Sequence, residues 1–595
     1  MRGARIAVVL IVAVGFATYA LLGSTVDSPH VFSDELLYFD TAAAVTDGDG
    51  LSVRGQDYRY APLYPLLLSP LHWIASNRVA AYELAKALNA LLFSLTAIPV
   101  FLVARRVLPP WPSAAVAGLS ISIPSAVYVS VVMTESLAYL ACWWTFYAIV
   151  LALERPTVSR QCVVLLAIVL AASVRTQFVL LAVVYALGLV VVALIVPARR
   201  MRPTEIATTL WPTLIGFALA AGTATVALGG TSVASGAIGV YSVLWRSYDL
   251  QEVARWFVYH LANLELYMAV VPVVIAPVVL TSLFTRARRG DERHAACLAI
   301  FVVASAVFLL LAAAFNSTPY AVGSLHDRVL FYVVPFWLLC LVFWLSDGAP
   351  RPTISLTCGV AAAVILPLLL PFSEYARDES RQQFNGVGTT LWAALNEAVG
   401  SGTAGRLSML GFVAALVALA LLARVRARLL PMAVLACFVF SAALNWDVAR
   451  RVATPWAAVL PADERSWLDD RLPVGRTATA LISVEGCRAL AARDGFYLTE
   501  FFNGSLNRVA HVGTPPDELP AYSASIGEMG SVSVAGAPLV ADYVVTHSGV
   551  RVEGRRIGSG TAGGLVLWYV GGPVHVPDFD SADKVLRAAC RAATG

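Results

Sequence analysis

Thirteen apolar stretches of roughly membrane-spanning length fill most of the first 446 residues, and they constrain the fold more than any other feature. A bilayer core takes about 20 residues of helix, and a segment inside it must satisfy its own backbone polar groups. We therefore predict a polytopic α-helical membrane protein with about 13 transmembrane helices. The stretches are 6–24, 79–103, 113–132, 137–153, 162–174, 178–196, 207–228, 266–284, 295–315, 329–345, 354–372, 407–423 and 429–444.

The distribution of charge divides the chain into two parts. Only 13% of its 595 residues are charged, against about a quarter in an average soluble domain, which excludes a purely soluble enzyme. The charged fraction is about 11% over residues 1–446 and about 20% over residues 447–595. We predict a transmembrane domain over 1–446 and a soluble α/β domain over 447–595. The formal net charge of +4 does not indicate nucleic-acid binding.

The arginine distribution predicts the orientation, because basic residues favour cytoplasmic loops. With the amino terminus in the cytoplasm, the inner loops hold 17 arginines, whereas the outer loops hold 10 basic and 16 acidic residues. Thirteen spans then place the C-terminal domain outside the plasma membrane. The start of the chain lacks a small-x-small cleavage site, so we interpret it as an uncleaved first helix. Lys86 and Lys584 are the only lysines, a bias that indicates GC-rich, actinobacterial coding.

The cysteines follow the same division. Six of the eight lie in apolar segments, where a thiol serves as a small apolar side chain. Cys487 and Cys590 lie in the predicted external domain, where oxidation is permitted, and they form either one disulfide bond or two free thiols. The sequence has no CxxC or HExxH spacing that would indicate a zinc site.

The C-terminal domain alternates short helical and strand-like segments. We predict helices over 466–471 and 485–494 and strands over 477–484, 542–547 and 564–570. The aromatic residues between Phe496 and Phe502 either stack on sugar or belong to the core or to the contact with the membrane domain, and the second interpretation is favoured.

Polar residues of the membrane part gather near the predicted outer ends of helices, and not at mid-membrane, where a transporter would need them. The largest group is the first outer loop, residues 25–78. Asp34 and Glu35 begin an amphipathic segment that we predict to be a helix on the membrane surface. Ser33 and Asp34 either only cap this helix or supply a carboxylate that acts as a general base beside a low-dielectric wall.

Further charged residues are predicted at the same level. Glu135 opens the fourth span, Arg175 separates the fifth and sixth spans as the tip of a short hairpin, and His326 and Arg328 precede the tenth. Each of them alone is most often an ordinary helix-end residue. Together they combine carboxylates for proton abstraction with arginines, whose planar fork suits phosphate.

This pattern resembles the GT-C superfamily of membrane glycosyltransferases, in particular the protein O-mannosyltransferases and the lipid A aminoarabinose transferases. The motifs that carry the resemblance are Asp34-Glu35 after the first helix, Tyr60-Ala61-Pro62-Leu63-Tyr64-Pro65 in the same loop, Glu135, and the segment from His326 to Pro335. Segments 500–505 and 541–545 are similar to external domains of bacterial members.

The resemblance implies an enzyme that moves a sugar, with inversion, from a polyprenyl-phosphate donor to a cell-envelope glycan, lipid or protein acceptor at the outer face. The lipid tail of such a donor stays in the bilayer while its phosphate meets the interface. An acceptor hydroxyl needs a carboxylate to take its proton, and a cation stabilises the phosphate as it leaves.

The resemblance also implies roles for individual residues. Asp34 is the general base and Glu35 its orienting partner or an alternate base. The residues assigned to the donor phosphate are Arg328, His326 and Arg175, and those assigned to the substrate groove are Tyr58, Arg59, Tyr60, Tyr64 and Glu135. Aminoarabinose transferases often carry Lys-Pro-Pro where this chain has Tyr-Ala-Pro, so that lysine contact is missing. Metal use varies in the superfamily, and an Asp-Glu pair could bind a divalent cation.

Three other functions stay open at this point. A transporter or flippase of lipid-linked sugars would use the charged layer as a gate. An oligosaccharide ligase or polymerase would share the outer-face chemistry, and an envelope assembly protein would use its C-terminal domain for binding. Convergence of Asp34 and Arg328 within about 10 Å at the surface favours transfer chemistry, whereas a charged central pore favours transport.

Overall fold

The computed structural model describes most of the chain. The described residues are 2–30, 32–196, 203–228, 248–317, 325, 327–371, 403–422, 430–483, 489–513, 519–559 and 564–577. His326, Cys487 and Cys590 lie outside these ranges, so their predicted roles in phosphate binding and in a disulfide bond stay predictions.

The amino-terminal part of the described chain is almost entirely helical. Its α-helices are α1 Arg2–Ser24, α2 Ser33–Asp47, α3 Leu63–Ile74, α4 Arg78–Leu95, α5 Ala97–Ala104, α6 Pro110–Ile121, α7 Glu135–Glu154, α8 Val158–Val174, α9 Leu180–Ile195, α10 Pro203–Thr209, α11 Trp211–Leu228, α12 Leu250–Tyr267, α13 Val271–Arg288, α14 Glu292–Asn316, α15 Asp327–Leu330, α16 Val334–Ser346, α17 Thr353–Leu369, α18 Thr403–Leu422 and α19 Leu430–Val459. Short 3-10 helices cover Pro124–Ser130, Thr176–Val179 and Phe331–Val333.

Helices of membrane-spanning length confirm a multi-pass membrane protein. In the described ranges, eight helices are long and apolar enough to cross a bilayer, and a ninth span results if the bent pair Pro110–Ile121 and Pro124–Ser130 is counted as one. Every predicted stretch overlaps a helix, but four of them coincide with shorter apolar helices: Val158–Val174, Trp211–Ala220, Thr353–Leu369 and Met409–Ala418. The predicted number of 13 spans is therefore not confirmed.

Helices α3 and α12 were not predicted. Helix α12 (Leu250–Tyr267) occupies a region that the hydropathy pattern assigned to a loop. Its mixed composition hid it, because it buries polar residues such as His260, Asn263 and Glu265 beside Trp256. Burial of polar groups on one helix face cannot be recognised from average hydropathy.

The first loop of the membrane part is folded. Helix α2 lies where the amphipathic pattern predicted it, with Leu36, Leu37 and Phe39 buried. Two short strands, β1 Ser52–Val53 and β2 Gln56–Asp57, form a hairpin. The turn between them holds Arg54 and Gly55 at positive φ, the backbone that a two-residue hairpin turn requires.

The C-terminal domain is a mixed sheet with a helix packed on it. Its helix α20 is Ala489–Phe502, and its strands are β3 Ala478–Ser483, β4 Leu506–Val512, β5 Tyr522–Ile526, β6 Val532–Val534, β7 Ala537–Pro538, β8 Val540–His547, β9 Arg555–Ser559 and β10 Leu565–Pro573. The strand order is β7-β6-β5-β4-β3-β8-β10-β9, and β3 is parallel to both β4 and β8. The parallel pair β3 and β4 is joined across α20, as a parallel connection requires. The α/β class is as predicted.

Local boundaries in this region differ from the prediction. Helix α19 continues to Val459, so the domain boundary expected after residue 446 falls inside a helix. Residues 466–471 form turns instead of the predicted helix, whereas the three predicted strands coincide with β3, β8 and β10. The aromatic residues of 496–502 lie on α20 and are buried in one hydrophobic cluster with α2 and α4. The C-terminal domain therefore packs directly on the first loop.

Candidate functional site

Asp34 and Arg328, 294 residues apart in the chain, meet at the start of α2. Nη2 of Arg328 donates a hydrogen bond to Oδ2 of Asp34 at 3.0 Å, and the Asp34 side chain is 40% exposed. The helix N-cap residue is Phe32 and not Ser33 or Asp34, and the N-cap side chain makes no hydrogen bond to the first turn. Asp34 therefore does not cap the helix through its side chain but pairs with an arginine from α15.

Glu135 joins Arg328 to a second arginine. Nε of Arg328 and Nη1 of Arg175 both donate to Oε1 of Glu135, the latter at 2.6 Å. The Glu135 side chain is 1% exposed and lies in the first turn of α7, where the helix dipole favours an anion. A buried carboxylate needs compensating charge, and here two guanidinium groups supply it. Glu135 thereby holds both arginines beside Asp34.

Arg175 lies between α8 and the 3-10 turn that precedes α9, at the interruption that the sequence indicated. Its Nη1 also donates to the Tyr332 hydroxyl at 3.2 Å. Burial lowers the pKa of this guanidinium, but Tyr332 and Glu135 outweigh that effect and raise the pKa above its usual value. Arg175 therefore keeps its positive charge although it is largely enclosed.

Tyr38 belongs to this cluster and was missed as a site residue. It follows Asp34 by four residues and therefore lies on the same face of α2. Burial raises the pKa of Tyr38 well above its usual value, and the Asp34 carboxylate adds to the effect. Its ring packs edge to face on Tyr64 with centroids 5.4 Å apart. Tyr38 thus adds an aromatic residue to the Asp34 face of α2, and its i, i+4 spacing from Asp34 was the available signal.

Glu35 is not brought into the cluster. Neighbouring residues on a helix point about 100° apart, and the Glu35 side chain is fully buried whereas that of Asp34 is partly exposed. Burial raises its pKa well above the usual value, although Lys86 counteracts this. Its predicted role as orienting partner or alternate base stays a prediction.

The aromatic residues of the first loop occupy different environments. The Tyr58 hydroxyl donates to the carbonyl of Ala61 at 2.9 Å, and its ring lies 5.6 Å from that of Tyr60. Arg59 is exposed. Tyr64 is fully buried and donates to Oδ1 of Asn89 at 3.0 Å, so it lies behind Tyr38 and not on the surface of a groove.

Within the described ranges, no group of three or more His, Cys, Asp or Glu side chains is placed to hold a metal ion.

The fold and the cluster together define a class: a multi-pass membrane protein whose charged side chains converge at helix ends beneath a C-terminal α/β domain. A comparison with solved structures finds this fold in ArnT, the aminoarabinose transferase of Cupriavidus metallidurans, in its complex with undecaprenyl phosphate. That chain is 14% identical, with a TM-score of 0.51, over 94% of this chain and 97% of ArnT. The predicted resemblance to the GT-C superfamily is confirmed at the level of the fold.

Other comparisons are weaker. The apo form of the same ArnT has a TM-score of 0.49 at 15% identity, over 94% of this chain and 97% of that one. The oligosaccharyltransferase of Archaeoglobus fulgidus has a TM-score of 0.44 at 12% identity, over 91% of this chain and 70% of its own. No protein-family model and no curated protein matches the sequence.

Proposed function

We propose that this protein is a membrane glycosyltransferase that moves a sugar from a polyprenyl-phosphate donor to a cell-envelope acceptor, with Asp34 as general base. The observation that carries the proposal is the pairing of the half-exposed Asp34 carboxylate with Arg328, which Glu135 in turn joins to Arg175. The protein whose fold this chain shares, ArnT, was solved with undecaprenyl phosphate. The sugar transferred and the acceptor are left open by the proposal.

The two arginines are suited to the donor phosphate. Arg328 pairs with two carboxylates of different exposure: the Glu135 side chain is 1% exposed, whereas the Asp34 side chain is 40% exposed. A phosphate that binds the exposed edge of Arg328 would replace Asp34 there, while Glu135 keeps both guanidinium groups in position. Arginine favours this exchange because its planar fork matches phosphate oxygens.

The released Asp34 then supports the chemical step. The acceptor hydroxyl oxygen attacks the anomeric carbon as its proton passes to the Asp34 carboxylate. The bond from the anomeric carbon to the phosphate oxygen breaks, and its electron pair stays on the polyprenyl phosphate. Arg328 and Arg175 stabilise the added negative charge, and a single displacement of this kind inverts the anomeric centre.

Removal of the proposed base tests this function. We expect Asp34→Asn to abolish transfer, because an amide cannot accept the proton, while the protein still accumulates in the membrane. The measurement is the envelope glycan composition of a deletion strain complemented with each variant. Asp47→Asn, at the exposed far end of the same helix, is the matched control and should restore the glycan. Restoration by Asp34→Asn as well would exclude Asp34 as the base.

The phosphate role of Arg328 is tested by binding. We expect Arg328→Ala to weaken binding of undecaprenyl phosphate to the purified protein in nanodiscs by roughly 10-fold or more, as for loss of a charge-assisted contact. The control is Arg155→Ala, which removes a well-exposed arginine. Equal affinity for Arg328→Ala and the wild type would contradict the assignment.

A further inference from the structure

A residue of the C-terminal domain bridges the first turn of α2, which carries Asp34. In a regular α-helix the N–H of Leu36 would bond to the carbonyl of Phe32, four residues earlier. Here Leu36 N–H donates instead to the hydroxyl of Tyr497 at 3.1 Å, and that hydroxyl donates to the carbonyl of Phe32. The Tyr497 hydroxyl is thus inserted in the bond between Leu36 and Phe32, while the Phe32 carbonyl also accepts from the N–H of Glu35 at 3.1 Å.

The surroundings of the Tyr497 hydroxyl keep it in this position. Tyr497 is 3% exposed, so water does not replace its hydroxyl. Phe32 is the N-cap residue and supplies no side-chain bond to the turn. The first N–H groups of a helix have no intrahelical partner, and here the next bond, from Leu36 to Phe32, also passes through a side chain from outside the helix. Tyr497 supplies the acceptor for Leu36.

Other residues on the same face of α20 hold the Tyr497 hydroxyl in place. Glu500 and Phe501 follow Tyr497 by three and four residues and therefore lie on its face of the helix. Both Glu500 oxygens accept from Arg54, at 2.6 and 2.7 Å, and this ion pair is almost fully buried. The Phe501 ring stacks on Phe39 of α2 at 4.4 Å with an interplanar angle of 6°. Three contacts therefore hold α20 against the loop that contains the site.

We propose that Tyr497 is a positioning residue for the general base: its hydroxyl sets the first turn of α2, and through it the direction in which Asp34 meets Arg328. The C-terminal domain is then a part of the catalytic site. This inference rests on the proposed function for its kinetic consequence, but the contact itself does not depend on it.

The test is Tyr497→Phe in the full-length chain in nanodiscs. It keeps the ring and removes only the inserted hydroxyl, so the domain should stay docked and the melting temperature should change little. We expect kcat to fall roughly 10- to 100-fold, as for a small displacement of a catalytic group. The donor KM should change by less than about 3-fold, because Glu135 still holds both arginines. The donor is the undecaprenyl-phosphate sugar whose residue is missing from the glycan of the deletion strain.

Two controls separate positioning from docking. Tyr569→Phe removes an exposed hydroxyl of the same domain and should leave kcat unchanged. Glu500→Gln weakens the neighbouring anchor and should lower the melting temperature while it leaves kcat within about 3-fold at low temperature. An unchanged kcat in Tyr497→Phe would overturn the proposal, as would an equal fall of kcat in Glu500→Gln.

Hydrogen exchange separates this proposal from the proposed function. Loss of the hydroxyl should speed amide exchange in peptides that cover residues 32–37, relative to Tyr569→Phe. Faster exchange together with a wild-type protein that transfers no sugar would support the contact and reject the glycosyltransferase. Unchanged exchange would overturn the contact, whatever the activity.

Discussion

Asp34 and Glu35 are adjacent in the chain but have opposite environments. The Asp34 side chain reaches Arg328 and solvent, whereas Glu35 is buried and burial raises its pKa. A sequence motif treats the two carboxylates as a pair, because it does not show which of two neighbouring directions on a helix is buried and which is open to solvent. At the scale of the residue, the exposure of its side chain to solvent makes Asp34, and not Glu35, the candidate base.

Glu265 gives a prediction about pH at the same scale. Burial raises its pKa to about 9, and among the described residues neither of its oxygens has a hydrogen-bond partner. The unfolded chain releases this proton near pH 4.3, so from there to about pH 9 the folded state binds more protons and stability falls as pH rises. The slope is about 1.4 kcal/mol for each pH unit.

We therefore expect Glu265→Gln to be more stable than the wild type at pH 8 and to lose this advantage towards pH 5. Melting temperatures measured across that range check the expectation. Glu252→Gln, on the same helix but more exposed, is the control and should follow the wild-type pH dependence. Parallel curves for Glu265→Gln and the wild type would show that Glu265 does not titrate as proposed.

At the scale of elements, the contact between α20 and the first loop joins the two parts of the chain. The buried pair of Arg54 and Glu500 lies at its centre, 446 residues apart in sequence. Arg54 occupies a turn position at positive φ, which suggests a hairpin tip exposed to solvent, yet its side chain is buried against the C-terminal domain. Turn signals predict a backbone shape and not the partner of a side chain.

Removal of one member of this ion pair should lower the stability of the fold. We expect Arg54→Ala to lower stability by about 3–5 kcal/mol, because Glu500 is left buried without its charge partner. Arg476→Ala breaks the exposed pair with Asp542 and should cost about 1 kcal/mol or less. Thermal unfolding of both variants in nanodiscs makes the comparison. Equal losses of stability in the two variants would contradict a role of the Arg54–Glu500 pair in holding the C-terminal domain on the first loop.

At the scale of the whole molecule, the cluster and the C-terminal domain lie on one side of the helical part. Asp34, Glu135 and Arg328 lie in the first turns of α2, α7 and α15, where Arg328 contacts both carboxylates, and Tyr497 of the domain contacts the turn around Asp34. The arginine distribution predicts that this side is outside the cell. Envelope glycan transfer requires that orientation.

Cysteine labelling checks the orientation. In a background with Cys487→Ser and Cys590→Ser, we expect Val474→Cys to react with a membrane-impermeant maleimide on intact cells, because Val474 is fully exposed on the C-terminal domain. Arg289→Cys, in the turn between α13 and α14, should react only after the cells are opened. The reverse pattern would place the site in the cytoplasm and exclude transfer to the envelope.

The sequence by itself determined the multi-pass helical class, the α/β class of the tail and a short set of charged residues, because hydropathy and helix-end chemistry are properties of neighbouring residues. Asp34, Glu135, Arg175 and Arg328 were all recognised in this way.

Only the tertiary structure decided which of these side chains meet. The contact of Asp34 with Arg328, the burial of Glu35 and the bridge that Tyr497 makes in the first turn of α2 each join or separate residues through packing of distant segments. Local patterns carry no information about such partners, since the long-range contacts depend on how all the helices and the sheet pack together. The candidate residues were therefore predictable, whereas their arrangement as a site was not.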